Sequence, residues 1–169
     1  MTQKGIKLLR DKFNGLNIDG YIVPKNDEFF SEYSKKDRLK VISNFSGSAG
    51  YAVILKNKNY LFVDGRYTIQ AQLESGNNFK IVKYEKIVNC SLFKDLTLGI
   101  NPKLFTSNQI KRFFLKNSKI KFIKSDLIDK IFKKRSETLK LFYSLDDKIV
   151  GEKFKKKISK IKKFLRKKK

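Results

Sequence analysis

The sequence predicts an α/β domain on a mixed sheet of about five to six strands with flanking helices, followed by a C-terminal amphipathic helix. Three observations predict it. Short apolar runs and helical periodicities alternate from residue 3 to about 132. Two apolar runs, 51–55 and 60–63, flank the polar turn Lys56-Asn57-Lys58-Asn59, the pattern of a β-hairpin. From residue 148 the pattern changes to one helical stripe among lysines.

Ile6, Leu9, Phe13 and Leu16 fall at helical spacing and predict a helix over 3–16, broken by Asn17 to Gly20. Tyr21, Ile22 and Val23, closed by Pro24, read as a buried strand. Asp27 is positioned to cap a short helix through Phe29, Phe30 and Tyr33. Residues 40–43 form a short strand or a turn of helix, and the hairpin follows the small-residue loop Ser46-Gly47-Ser48-Ala49-Gly50. Asp64-Gly65 ends the hairpin, and 66–73 read as helix. Strands follow at 79–84, 98–100 and 120–123. Ser107 caps a helix to about Leu115, and 127–132 form a short helix. The alternation fits parallel neighbours joined through helices, with one antiparallel hairpin. Val150, Phe154, Ile158, Ile161 and Leu165 lie on one face of a helix over 148–166, about 28 Å long. This stripe either packs on a second domain or lies on an anionic membrane surface. The predicted domains are 1–135 and a linker plus first helix of a second domain over 136–169.

Composition bounds the chemistry. The 169 residues hold no histidine and one cysteine, Cys90. Within this chain that excludes Ser-His and Cys-His nucleophilic pairs, imidazole metal ligands and a thiolate cage. Two acidic groups remain, Asp27 with Glu28 and Glu32, and Asp146 with Asp147. Neither has a recognised ligand spacing, and both also suit solvated loop or helix-cap positions. The lone cysteine and the absence of a signal-like apolar run at 1–10 fit a soluble protein in a reducing, cytoplasmic setting. The net charge is +24, carried by 34 Lys and only 6 Arg. A basic surface attracts phosphate, anionic lipid or acidic protein. A lysine-rich, arginine-poor bias equally fits an AT-rich coding sequence, since arginine is the bidentate phosphate reader.

Two local sequences are candidate sites. The loop containing Ser46, Gly47, Ser48 and Gly50 has two hydroxyls and glycines that allow close backbone approach. It lacks the Gly-Lys-Ser/Thr ending of a phosphate loop, so it is either a structural turn or a ligand cradle. The second is Asp64-Gly65-Arg66-Tyr67 at a strand end. There Arg66 either reaches a carboxylate or carbonyl across a pocket or simply pairs with Asp64.

Four segments occur in order: Asp19-Gly20-Tyr21-Ile22-Val23-Pro24; Asp27-Glu28 with Ser31-Glu32-Tyr33; Phe45-Ser46-Gly47-Ser48-Ala49-Gly50; and Phe62-Val63-Asp64-Gly65-Arg66-Tyr67 with Gln70-Ala71. Together they resemble the creatinase/prolidase N-terminal domain, specifically that of Xaa-Pro aminopeptidases. Residues 126–132 look like the end of that domain, and 146–165 like the opening of a second. The resemblance implies a substrate-side and oligomerisation domain of an enzyme that releases an N-terminal residue preceding proline. It implies a catalytic pita-bread domain or subunit with two metal ions, typically manganese, held by two Asp, one His and two Glu. None of those ligands maps onto this chain, so the resemblance implies no metal, cofactor or catalytic residue here and no activity of the chain alone. It implies a peptide substrate with proline second, a homodimer, and a substrate contact from Arg66. Asp64 and Tyr67 then hold Arg66 in place, and the 46–50 loop lies near the site. Family members often carry His after the Asp-Glu pair, where this sequence has Phe29-Phe30; Phe29 is read as a packing residue. The alternative function is a non-catalytic binding module of the same fold, using its basic C-terminal half on nucleic acid or acidic protein.

Overall fold

The computed structural model describes residues 2–31, 36–88, 90–114, 118–132 and 143–167. The chain divides into two compact units, Met1–Lys134 and Arg135–Lys169.

The first unit is a six-stranded sheet between two helical layers. Its strands are β1 (Gly20–Pro24), β2 (Gly50–Leu55), β3 (Asn59–Val63), β4 (Lys80–Lys83), β5 (Thr97–Ile100) and β6 (Lys119–Phe122), in the order β4-β3-β2-β1-β5-β6. The predicted hairpin is β2–β3, with Val53 opposite Tyr60. β2 is also antiparallel to β1, with Ile22 opposite Val53. The remaining pairs, β1–β5, β3–β4 and β5–β6, are parallel. Five strands therefore run in one direction and β2 alone opposes them, so there are two antiparallel pairs where the sequence suggested one.

Both sheet faces are covered, which is why the central strands read as unbroken apolar runs. Successive side chains point to opposite faces. Tyr21, Val23, Ala52, Ile54, Leu61 and Val63 enter one core, with α1 (Thr2–Arg10), α2 (Arg38–Ser43), α3 (Thr68–Ser75) and α5 (Leu127–Ile131). Ile22, Tyr51, Val53, Tyr60 and Phe62 enter the other, with α4 (Ser107–Phe113). The outer strands β4 and β6 are lysine-bearing and largely exposed, which protects the sheet edges against further pairing.

Several boundaries differ from the sequence reading. The first helix stops at Arg10 and tightens into i→i−3 turns, Phe13 N–H donating to Arg10 O at 2.9 Å. Asn14 and Gly15, weak helix formers, follow there. Residues 40–43 are helical, within α2. Thr106, not Ser107, caps α4, and it forms a reciprocal capping box with Gln109. Leu115, the predicted end of that helix, and Glu32 and Tyr33 lie outside the described residues. Among the described residues up to Ser31, no helix follows Asp27. Its carboxylate accepts the Phe29 and Ser31 amides, each at 2.9 Å, and closes a tight turn instead. Phe29 is 89% exposed there, so it does not pack.

The second unit contains α6 (Asp147–Val150) and α7 (Phe154–Arg166) rather than one helix over 148–166. Gly151 adopts φ 69° and ends α6, a conformation that glycine accepts readily. Phe154, Ile158, Ile161 and Leu165 are exposed along α7. No helix among the described residues is long and apolar enough to cross a membrane.

Candidate functional site

The five co-directional strands end at one edge of the sheet, and open α/β sheets commonly bind ligands beyond the carboxyl ends of their strands. The Asp64-Gly65-Arg66-Tyr67 motif lies there, directly after β3. Asp64 caps the turn of 3-10 helix Gly65–Tyr67: its Oδ1 accepts the Arg66 amide at 3.0 Å and Arg66 Nε at 2.9 Å. Those bonds from Arg66 hold the Asp64 carboxyl below the usual carboxylate range. The Arg66 guanidinium also lies over the Tyr67 ring, 5.6 Å from its centroid, yet the side chain remains 76% exposed. A tethered, exposed guanidinium of this kind presents donors in a fixed fork to a carbonyl or carboxylate.

The small-residue loop is joined to the same motif. Ser48 Oγ lies 2.8 Å from Tyr67 Oη. Ser46 donates through its amide and its hydroxyl to Glu74, both at 2.7 Å, and Gln70 Nε2 donates to Ser46 Oγ at 2.9 Å. Burial alone would raise the Glu74 pKa, but these donors outweigh it and hold the carboxyl low. Phe45 is fully buried beneath the loop and meets Tyr67 edge-on at 5.9 Å. A Cβ at Gly47 would collide with the Phe45 ring, and one at Gly50 would lie 2.9 Å from the Phe62 carbonyl oxygen. The two glycines therefore serve close packing.

A cleft of about 230 Å³ opens beside the motif. Lys25 and Asn26 line it after β1, with the Ser48–Tyr51 segment, Asp64, Tyr84 and Phe30. Lys25 is buried, and its ammonium is paired with Asp37 at 2.5 Å. Arg66 stands outside the lining. Sequence reasoning missed Lys25, Phe30 and Tyr84; the exposed diphenylalanine after an acidic pair was the available signal.

Behind this edge is a buried charge cluster that the sequence reading did not identify. Arg38 is 2% exposed. It donates to Asp129 through Nε (3.0 Å) and Nη2 (2.8 Å) and to Glu28 at 2.6 Å, with Asp126 at 3.6 Å. Burial works against its charge, but the surrounding carboxylates prevail and hold the guanidinium protonated more firmly than usual. Tyr21 donates to Asp126 at 3.0 Å, tying the cluster to β1. The cluster fixes Glu28, and with it the turn that carries Phe30.

Histidine is absent from the chain, and burial pushes the Cys90 thiol above its usual range. Residues 6–131 match the Creatinase/Prolidase N-terminal domain. The chain belongs to this family. It is 32% identical over 188 residues to Xaa-Pro aminopeptidase 1 of Dictyostelium discoideum, a match covering 97% of this chain and 30% of that protein. It is 30% identical over 184 residues to the probable Xaa-Pro aminopeptidase P of Coprinopsis cinerea, covering 99% of this chain and 30% of the relative. The chain thus spans about 30% of the length of these relatives. In fold it resembles X-prolyl aminopeptidase from Caenorhabditis elegans, a cytosolic enzyme with a di-nuclear active site (TM-score 0.72, 24% identity, 99% of this chain and 31% of that one). It also resembles the N-terminal domain of the cytoplasmic peptidase PepQ from Mycobacterium tuberculosis (TM-score 0.58, 14% identity, 76% of this chain and 98% of that one).

Among the described residues of this creatinase/prolidase N-terminal domain, none fits a di-nuclear centre. The chain offers no imidazole and one thiol, and among the described residues no group of three or more acidic or cysteine side chains is arranged to hold a metal.

Proposed function

We propose that the chain is the substrate-side domain of an Xaa-Pro aminopeptidase and is inactive alone. It works with a catalytic pita-bread domain or subunit that holds the two metal ions, typically manganese, in the cytoplasm. In this reading residues 1–135 are the domain proper, and residues 136–169 are the linker and first helix of a second domain. Arg66 contacts a peptide whose second residue is proline, Asp64 and Tyr67 fix its guanidinium, and the Ser46–Gly50 loop braces Tyr67. Homodimerisation brings two such domains to one assembly.

The observation that carries the reading is Arg66 itself. It is tied at both sides yet three-quarters exposed at the carboxyl edge, in a chain whose residues 6–131 match the family. Binding energy made away from the reacting bond is useful where the chemistry belongs to another domain. Two assays test this. The purified chain with manganese should show no release of the first residue from Xaa-Pro peptides, and clear turnover by it would overturn the proposal. A chimera with this chain in place of the matching third of the Dictyostelium enzyme should turn over such peptides. Arg66→Ala should cost that chimera about 10- to 100-fold in kcat/KM, the scale of one lost charged hydrogen-bonding group. Unchanged kinetics would remove Arg66 from the substrate site.

A further inference from the structure

The geometry points to a second binding element at this edge: the cleft between Phe30 and Tyr84 takes an uncharged apolar side chain of the peptide. This inference rests on the reading of the chain as a peptidase's substrate-side domain. In that reading the bond-breaking groups belong to another domain, so the cleft supplies binding energy rather than chemistry.

The cleft has a rigid aromatic wall. The Tyr51 and Tyr84 rings lie 5.7 Å apart, and each is braced on Phe113 at 5.9 Å. Such a wall needs no reordering when a side chain enters, which limits the entropic cost of binding. Phe30 lines the cleft opposite to any demand of folding. It is 48% exposed and its backbone is in the left-handed region at φ 60°. A phenylalanine in that conformation is strained, and such strain persists where the surroundings impose it. Here they do: Asp27 O accepts the Phe30 amide at 3.1 Å, Asp27 Oδ1 accepts the amides on either side, and Glu28 is bound by buried Arg38. The fold thus fixes an aromatic ring, half in water, on the cleft.

Charge decides the ligand class. Among the described residues of the lining, the two ionised groups are already neutralised, Lys25 by Asp37 and Asp64 by Arg66. The described lining therefore offers no uncompensated charge to a phosphate, a carboxylate or an ammonium, although the chain as a whole carries +24. Rings on its walls and a volume of about 230 Å³ suit one aliphatic or aromatic side chain.

The test titrates the isotopically labelled 169-residue chain with two uncharged peptides, Ala-Pro-Phe-amide and Ala-Pro-Ser-amide, and follows backbone amide shifts. The expected result is saturable shifts at Ser48, Ala49, Gly50 and Tyr84, with the phenylalanyl peptide binding about tenfold tighter. Phe30→Ala should abolish that preference, and Phe30→Leu, which keeps an apolar wall, should retain most of it; dispersed amide spectra of both variants show that they are folded. Equal affinities for the two peptides, shifts that map away from the cleft, or a preference that survives Phe30→Ala would each overturn the inference. Because the measurement involves no turnover, the chimera assay can fail or succeed independently of it.

Discussion

Arg38 holds Asp129 through two nitrogens and Glu28 through one, with Asp126 close by. Removing the guanidinium would leave these carboxylates facing one another, and the Asp126 side chain is almost fully buried. Breaking a buried ion pair from one side costs about 3–5 kcal/mol. Glu28 and Asp129 are partly solvated, so Arg38→Met should fall near the lower end, about 3 kcal/mol at pH 7, read from urea unfolding. The deficit should shrink as pH falls toward 4. Arg38 holds the Glu28 carboxyl below its usual range against the opposing effect of burial, and without it protonation relieves the repulsion. A deficit independent of pH would mean that lost packing, not charge, is responsible. None of this was legible in the sequence. The partner Asp129 is 91 residues away, and Lys36-Asp37-Arg38 reads locally as an ordinary charged surface turn. The contacts of Arg66 with Asp64 and Tyr67 were legible because these partners are its sequence neighbours.

Elements followed the same division between local and distant causes. The β2–β3 hairpin was legible because a polar turn between apolar runs fixes both strands at once. The antiparallel β1–β2 pair was not, since residues 25–49 separate the strands and no turn signal sets their direction. At the C-terminal end the apolar spacing was read correctly but the helix was not continuous. Periodicity records which residues share a face; it is insensitive to a single glycine leaving the helical region between them. Gly151 does so at φ 69°, and α7 restarts at Phe154. Replacing it by a good helix former should favour continuation, because a left-handed alanine is disfavoured by about 1 kcal/mol or more while a helical one is the best available. Gly151→Ala should therefore deepen the far-ultraviolet helical circular dichroism as 151–153 join α6 to α7. An unchanged or weaker signal would show that the break is imposed by something other than the glycine.

For the molecule as a whole, charge and titration set the conditions under which it stays folded. With no histidine, no side chain of ordinary pKa titrates between about pH 5 and 8, so stability should be level across that interval. On the acid side, Lys56 and the Thr97 amide hold the Asp19 carboxyl low, as Arg66 does Asp64. Donors likewise outweigh burial at Glu28 and Glu74. A carboxylate whose folded pKa is depressed binds fewer protons folded than unfolded. Its contribution is present above the unfolded value of about 4 and is lost as pH falls through the folded one. The +24 net charge adds self-repulsion, which grows as these carboxylates are neutralised and which salt screens. On the alkaline side the sign reverses. Burial raises the Cys90 thiol and the Tyr21 and Tyr51 hydroxyls, so their neutral forms favour the fold below the unfolded values and that contribution fades as pH rises past them. The urea midpoint plotted against pH should show a plateau, an acid arm beginning near 4 that added salt softens, and an alkaline arm beginning above about 8. Cys90→Ala should remove the first part of the alkaline arm and leave the acid arm unchanged. A step centred between pH 6 and 7 would contradict this account, since the chain has no histidine, the side-chain type whose ordinary pKa lies in that range.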